Sequence, residues 1–383
     1  MKRLFNTDIR FFKAVAVLVG TTVGAGIFGL PYAIAKVGLL AGIIYIIIIG
    51  LAVLGVNLAY GEVVIRTRGK HQMSGYAEKY LGSSGKWIIA ASLILGIYGA
   101  LLAYMIGVGN FLYDILGPTL GGSATIYSVI FWMLASLAVF RGLGMMASLE
   151  LIMVEVAIFI IVFVSGVSLF NVNINNFFYS NIKEFFYPFG IVLFALGGAT
   201  AIPTMKEILG HRYKELKLAS IVGLIIPVAI YILFSIAVVG VSGTNTTEQA
   251  LRGLVPYLGN WVVVLGGLFG IIAMSTSFMI LSQILRETYV KDYDVPPILA
   301  SFFVILAPLL IFLSGMNSFA QVVGISGSLL SGIQGILIIL MYYRAKKMGK
   351  KFVFYNINIP LWLGFAMCLL FVLGIVYQVY YLF

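Results

Sequence analysis

The chain has 383 residues, of which 62% are hydrophobic and only 10% charged, with a mean hydropathy of +1.09 and a net charge of +11. No soluble core needs that much apolar sequence, and apolar runs of about 18 residues or more recur along the whole length. This composition excludes a soluble globular enzyme, and the weak alternation over about ten residues that marks a membrane barrel is absent. The reading is an all-α polytopic membrane protein.

The start, Met1-Lys2-Arg3, precedes an apolar run with no small-residue cleavage site nearby, so it reads as a retained cytoplasmic arm. Eleven apolar segments follow, at 10–37, 39–65, 86–115, 123–140, 144–170, 186–209, 215–241, 260–286, 296–314, 317–343 and 359–382. At 1.5 Å per residue most are long enough to span about 30 Å of hydrocarbon.

The first segment holds Gly20, Gly24, Gly26, Gly29 and Pro31 within one short stretch. Glycine costs about 1 kcal/mol against alanine inside a helix, and proline about 3 kcal/mol. Backbone freed from a helix inside hydrocarbon must find partners in the protein, because lipid offers none. The stretch therefore reads as a deliberately broken helix whose bare N–H and C=O groups line a polar cavity. Gly24-x-Gly26-x-x-Gly29 also spells the dinucleotide fingerprint. Apolar sequence surrounds it and no acid appears before Glu62, so the nucleotide reading is set aside.

The basic residues fix an orientation. With the N-terminus inside, Lys36, Lys183 and Arg252 alone fall on the outer side, and the rest of the 24 Lys and Arg fall on the inner side. This accounts for the net charge without a nucleic-acid partner. Eleven spans then put the C-terminus outside, in a plasma or inner membrane. Residues 74–81 and 247–254 read as short interfacial helices on the inner and outer sides, either loop ornaments or gates. Asn245-Thr246-Thr247 is an outer-side glycosylation sequon, relevant only in a eukaryote. The one cysteine, Cys368, sits in the last apolar segment, which leaves neither a disulfide framework nor a thiolate metal site. His71 and His211 fall in polar loops. No metal ligand set and no catalytic constellation is read, so the chain is not expected to be an enzyme.

Segment six repeats the oddity of segment one. Pro31 aligns with Pro203, Leu30 with Ile202, and Gly26 with Gly198. Five segments separate the two, and an odd number of spans inverts the second copy. Paired Gly/Pro-interrupted segments at matching positions of two halves point to the binding site of a secondary transporter. The competing reading is glycine placed for helix packing, as at Gly266-x-x-x-Gly270.

These motifs carry a resemblance. Gly24–Pro31, Phe194-Ala195-Leu196-Gly197-Gly198, Ala201-Ile202-Pro203 and Thr276-Ser277-Phe278 resemble the amino acid/auxin permease family, including the bacterial aromatic amino acid permeases. That family lies within the amino acid–polyamine–organocation superfamily. The resemblance implies a LeuT-type five-plus-five inverted repeat with discontinuous helices one and six, a fold that the general rule for transporters takes as its own example. The repeats are expected at 10–170 and 186–343, with 359–382 as an extra eleventh helix in one transporter domain. It further implies an amino acid held at the bilayer midplane, imported with a cation by alternating access.

Physical chemistry assigns the groups. Free N–H groups and the positive dipole end at Gly24, Ala25 and Gly26 suit a carboxylate. Free carbonyls at Phe194, Ala195 and Gly197 suit an ammonium, and Phe194 falls where relatives carry an aromatic lid. Tyr104 is either a wall residue reaching the carboxylate or a packing aromatic. The small residues Ala103 and Ala199 leave room for a large neutral or aromatic substrate.

Two coupling ions compete. Ala273, Thr276 and Ser277 share a helical face. In sodium-coupled members of the fold such a trio meets two carbonyls of segment one, here Gly20 and Val23. The alternative for these hydroxyls is a bond back to their own helix. Glu155 lies about 15 Å into segment five and is the proton-carrier candidate, or else a neutral structural acid. Proton-driven relatives carry a lysine near that depth, where this chain has Ala157. Glu150 and Glu62 lie nearer the inner interface, solvated or paired. Apart from Na+ or H+ no cofactor is expected, and the partners are the substrate and the bilayer. An ion-independent exchanger and a nutrient sensor that keeps the pocket are the alternative functions; the short polar ends argue against the sensor. The particular amino acid and the oligomeric state are not encoded in these patterns.

Overall fold

The computed structural model describes residues 2–69, 71–141, 147–348 and 355–382. Among them the structure is helical, with no strand. The helices are α1 (Lys2–Thr22), α2 (Gly26–Val37), α3 (Leu39–Arg66), α4 (Met73–Leu120), α5 (Ala124–Arg141), α6 (Ala147–Ser168), α7 (Pro188–Ala195) and α8 (Ile202–Leu209). They continue as α9 (Leu216–Ser242), α10 (Val255–Leu258), α11 (Trp261–Asp292), α12 (Pro297–Leu313), α13 (Phe319–Ile325), α14 (Gly332–Met348) and α15 (Leu361–Leu382). A π-helical stretch, Ser326–Ser331, joins α13 to α14.

The apolar segments read from the sequence fall largely on helix, and the start of segment 144–170 lies outside the described residues. Among the described residues six helical stretches are long and apolar enough to cross a bilayer, and the bent pair α1–α2 makes a seventh when counted as one span. Large apolar side chains stay exposed on the outward faces, such as Leu134 on α5, Phe302 on α12 and Phe365 on α15. In water such faces would be a liability, whereas lipid is their natural solvent. The chain is an integral membrane protein.

The two segments expected to form short interfacial helices behave differently from each other. Gly82, at φ +80, divides α4 into residues 73–81, the short helix expected there, and the long span that follows. The helix expected at residues 247–254 does not form. Ala250 adopts φ +66, which no α-helix accommodates, and the chain turns before a 3-10 turn at Arg252–Leu254 and α10.

In the interior α1 packs on α8 and α9, α2 on α7 and α9, and α7 on α13 and the π-helical stretch. Helix α3 lies against α9 and α14, and α4 against α5, α11 and α14. The end of the bundle that carries Glu62 is fixed by charge. Glu62 is fully buried, accepts from Arg66 at 2.7 Å, and accepts from the Ile357 N–H at 2.7 Å. Of the two options open for Glu62, paired is the one observed. Tyr342 donates to the Ile357 carbonyl, so residues 355–360 are strapped across α3 and α14. Burial, with the nearby Glu62 charge, raises the Tyr355 hydroxyl above the ordinary phenol range. It stays protonated and donates to the Leu58 carbonyl at 3.1 Å.

Candidate functional site

Helix α1 stops at Thr22 and α2 starts at Gly26, with a 56° bend between them. Helix α7 stops at Ala195, and a 3-10 turn at Ala199–Ala201 leads into α8. Gly198 sits between them at φ −143 and ψ 7, outside the helical region. The prolines follow each break: Pro203 opens α8, and Pro31 lies inside α2, where it leaves a backbone hydrogen bond unmade.

The two breaks face each other and pack reciprocally. A Cβ on Gly26 would stand 2.6 Å from the Ala195 Cα, where α7 ends. A Cβ on Gly198 would stand 2.7 Å from the Thr22 Oγ1 and 2.8 Å from Leu18, where α1 ends. Neither space admits a side chain without movement: Gly26 lets α2 approach the α7 backbone, and Gly198 makes room for the Thr22 and Leu18 side chains. These are the two glycines that the sequence alignment of segments one and six pairs.

Tyr231 of α9 joins the breaks. Its fully buried hydroxyl lies 2.7 Å from the Thr22 carbonyl and 3.0 Å from the Ala195 carbonyl, and its one proton is shared between them. Orphan carbonyls at two helix ends are thereby satisfied from a third helix. Sequence reasoning missed Tyr231. The available signal was a lone hydroxyl amid Ile230, Ile232 and Leu233, which must find an acceptor once buried.

The structure gathers the seven residues assigned to substrate around this space. Gly24 and Ala25 lie in the unwound turn, and among the described residues their N–H groups donate to no backbone carbonyl. The N-terminus of α2 carries no side-chain cap, so its dipole end is unneutralised. The Tyr104 hydroxyl stands 3.8 Å from where a Cβ on Gly24 would lie. Phe194 is the penultimate residue of α7 and half-buried, and its carbonyl accepts from the Gly197 N–H at 3.1 Å. Gly197 itself is exposed. Ala103 is fully buried and does not line the space, whereas Ala199 is half-buried.

Exposure divides at the breaks. Beyond the first, Phe28, Leu30 and Pro31 are buried; before the second, Pro188 to Val192 are buried. On the other side Thr21, Gly197, Thr200 and Thr204 are exposed. All four lie on the α1 and α8 arms of the two breaks or in the turn that leads into α8. Near the other arms, polar ties join separate segments. Glu248 accepts from Ser318 at 3.1 Å and from the Ala320 N–H at 3.2 Å, and Arg252 pairs with Asp114 at 3.3 Å.

The ion candidates are placed differently. Ala273, Thr276 and Ser277 lie on α11, whose principal neighbours are α4, α6, α12 and α5; α1, which carries Gly20, is not among them. Thr276 donates back to the Ala273 carbonyl at 2.9 Å. Val23 is buried at the first break and donates to the Val19 carbonyl at 2.7 Å. Glu155 lies on α6, and its side chain falls outside the described residues.

Two interrupted helices, facing each other amid unbroken ones, mark the LeuT-type fold class. The fold is similar to that of MhsT, solved with L-phenylalanine, at a TM-score of 0.63 with 14% identity, covering 95% of this chain and 98% of that one. It is also similar to the inward-facing conformation of Mhp1, at 0.68 and 14% identity, covering 96% and 88%. Within that class the chain belongs to the tryptophan/tyrosine permease family, whose model it matches over residues 7–381. The tyrosine-specific transport system 1 of Haemophilus influenzae is 23% identical over 351 residues, 86% of this chain and 87% of that protein. Glutamine transporter 2 of Aliivibrio fischeri is 21% identical over 368 residues, covering 92% and 93%. The family is one of transporters, so the chain is not an enzyme.

Proposed function

We propose that the chain is a secondary transporter that imports an aromatic amino acid with a cation by alternating access. The observation that carries this reading is the pairing of the breaks. N–H groups without a backbone acceptor, in the turn before α2, oppose the carbonyls at the end of α7, and a zwitterion needs both donors and acceptors. Gly24, Ala25 and Gly26 hold the carboxylate, with the Tyr104 hydroxyl beside them. The carbonyls of Phe194, Ala195 and Gly197 receive the ammonium, and Phe194 closes over the side chain. The family description and the tyrosine-specific relative support an aromatic substrate; the glutamine relative makes a polar neutral one the second choice.

Eleven crossings in one domain, with repeats at 10–170 and 186–343 and 359–382 added, place the N-terminus inside and the C-terminus outside. The reciprocal seating of Gly26 and Gly198 supports the inverted repeat, because a twofold axis in the membrane plane exchanges the two contacts. In this orientation the exposed Thr21, Thr200 and Thr204 belong to an inward-open path. Coupling runs through Na+ at Gly20, Val23, Ala273, Thr276 and Ser277, or through H+ at Glu155. Ion-independent exchange is the second reading, favoured by the inward bond of Thr276 and by the absence of α1 from the main neighbours of α11.

A thermal-stability screen of the purified protein against the twenty amino acids tests the substrate class. The expected result is stabilisation by tryptophan, tyrosine or phenylalanine, since a ligand bound only to the folded state raises its stability. No shift with any amino acid would refute it. Uptake in proteoliposomes with sodium replaced by choline at a fixed pH gradient decides the ion. Unchanged accumulation removes sodium, and a Glu155→Gln protein still driven by protons removes Glu155.

A further inference from the structure

The π-helical stretch Ser326–Ser331 presses against the end of α7 and has no part in the assignments above. Single π turns inside α-helices concentrate at functional sites because they redirect side chains and free backbone groups. Here the Gly332 N–H reaches back five residues to the Gly327 carbonyl. That carbonyl is four residues before Ser331, the usual acceptor for a helical serine hydroxyl. Elsewhere Ser220, Ser242 and Ser275 each bond the carbonyl four residues back in this way. Ser331 has no hydrogen-bond partner among the described residues. Its hydroxyl stands 3.9 Å from where a Cβ on the exposed Gly197 would lie. The stretch is held in place from α4: Ser92 donates to the Leu330 carbonyl at 2.9 Å, and Gln334 donates to Ser92 at 3.2 Å.

An ammonium has three N–H donors. Of the acceptors assigned to it, the Phe194 carbonyl already receives the Gly197 N–H, and the Ala195 carbonyl shares the Tyr231 proton. With two of the three assigned carbonyls already partly engaged, an uncommitted acceptor beside the Gly197 carbonyl completes the set. We infer that the Ser331 hydroxyl supplies it and accepts a hydrogen bond from the ammonium of the bound amino acid. This rests on the amino acid reading of the site.

The test compares L-tyrosine with N-methyl-L-tyrosine, which has one N–H fewer, by thermal-shift titration and by uptake KM. Ser331→Ala is expected to weaken L-tyrosine about tenfold, the usual loss for a hydrogen bond to a charged group. It is expected to change N-methyl-L-tyrosine by less than about twofold, because that ligand lacks the donor the variant would orphan. Ser331→Thr keeps the hydroxyl and is expected to keep the wild-type difference between the ligands. Equal weakening of both ligands by Ser331→Ala, or no weakening of L-tyrosine, overturns the assignment while leaving the transport reading intact. Failure of the wild-type protein to bind any amino acid overturns both.

Discussion

The two breaks look alike in sequence and differ in what they expose. At the first, the glycine that starts α2 is buried against the Ala195 backbone, and the turn presents N–H groups. At the second, Gly198 is buried against the Thr22 and Leu18 side chains, but Gly197 beside it is open and the turn presents carbonyls. One glycine of each pair serves packing, and only the second break has another glycine left bare. Packing and binding can therefore be separated by substitution, although both depend on the smallest side chain.

Gly26→Ala is the largest perturbation expected. The new Cβ would meet the Ala195 backbone at 2.6 Å, and backbone cannot swing aside as a side chain can. Overpacking of this kind costs about 3 kcal/mol, read as a lower melting temperature in detergent, and uptake is expected to vanish with it. A variant that keeps wild-type stability would break the claim that the two helices touch here. Tyr231→Phe comes next. It strands two buried carbonyls and is expected to cost about 2 kcal/mol, with substrate affinity falling because both helix ends loosen together. Retained affinity would show that each break holds its shape alone.

Gly197→Ala sharpens the contrast from the other side. Its Cβ meets the Phe194 carbonyl at 3.2 Å, with the Leu193 carbonyl at 3.5 Å and the Ser331 hydroxyl at 3.9 Å in ordinary contact. The expected stability change is below about 1 kcal/mol, while uptake KM rises, since the carbonyl that must yield is an assigned ammonium acceptor. Tyr104→Phe is the mildest. It should leave folding unchanged and raise KM by about threefold to tenfold, the cost of one hydrogen bond. An unchanged KM would return Tyr104 to the role of packing aromatic.

The broken helices were legible because glycine and proline are costly in a helix and backbone cannot stay unpaired in lipid. Matching Gly26 with Gly198 also picked out two glycines that each sit against the other broken helix, one on backbone and one on side chains. The outer loop was misjudged because local composition at residues 247–254 suits a helix, while the tie from Glu248 to α13 comes from a distant segment. Tyr231 and Ser331 escaped for the same reason. Neither has a local pattern, and the partners that give each its meaning lie on other helices.

The sequence by itself determined the membrane class, the apolar segments and the two places where helix must fail. Those follow from free energies that each residue carries into any fold. Which carbonyls are already engaged, which glycine is covered and which is bare, and which arms of the two breaks stay exposed were decided only by tertiary structure. They depend on close approach between segments far apart in the chain, and no single segment contains that distance.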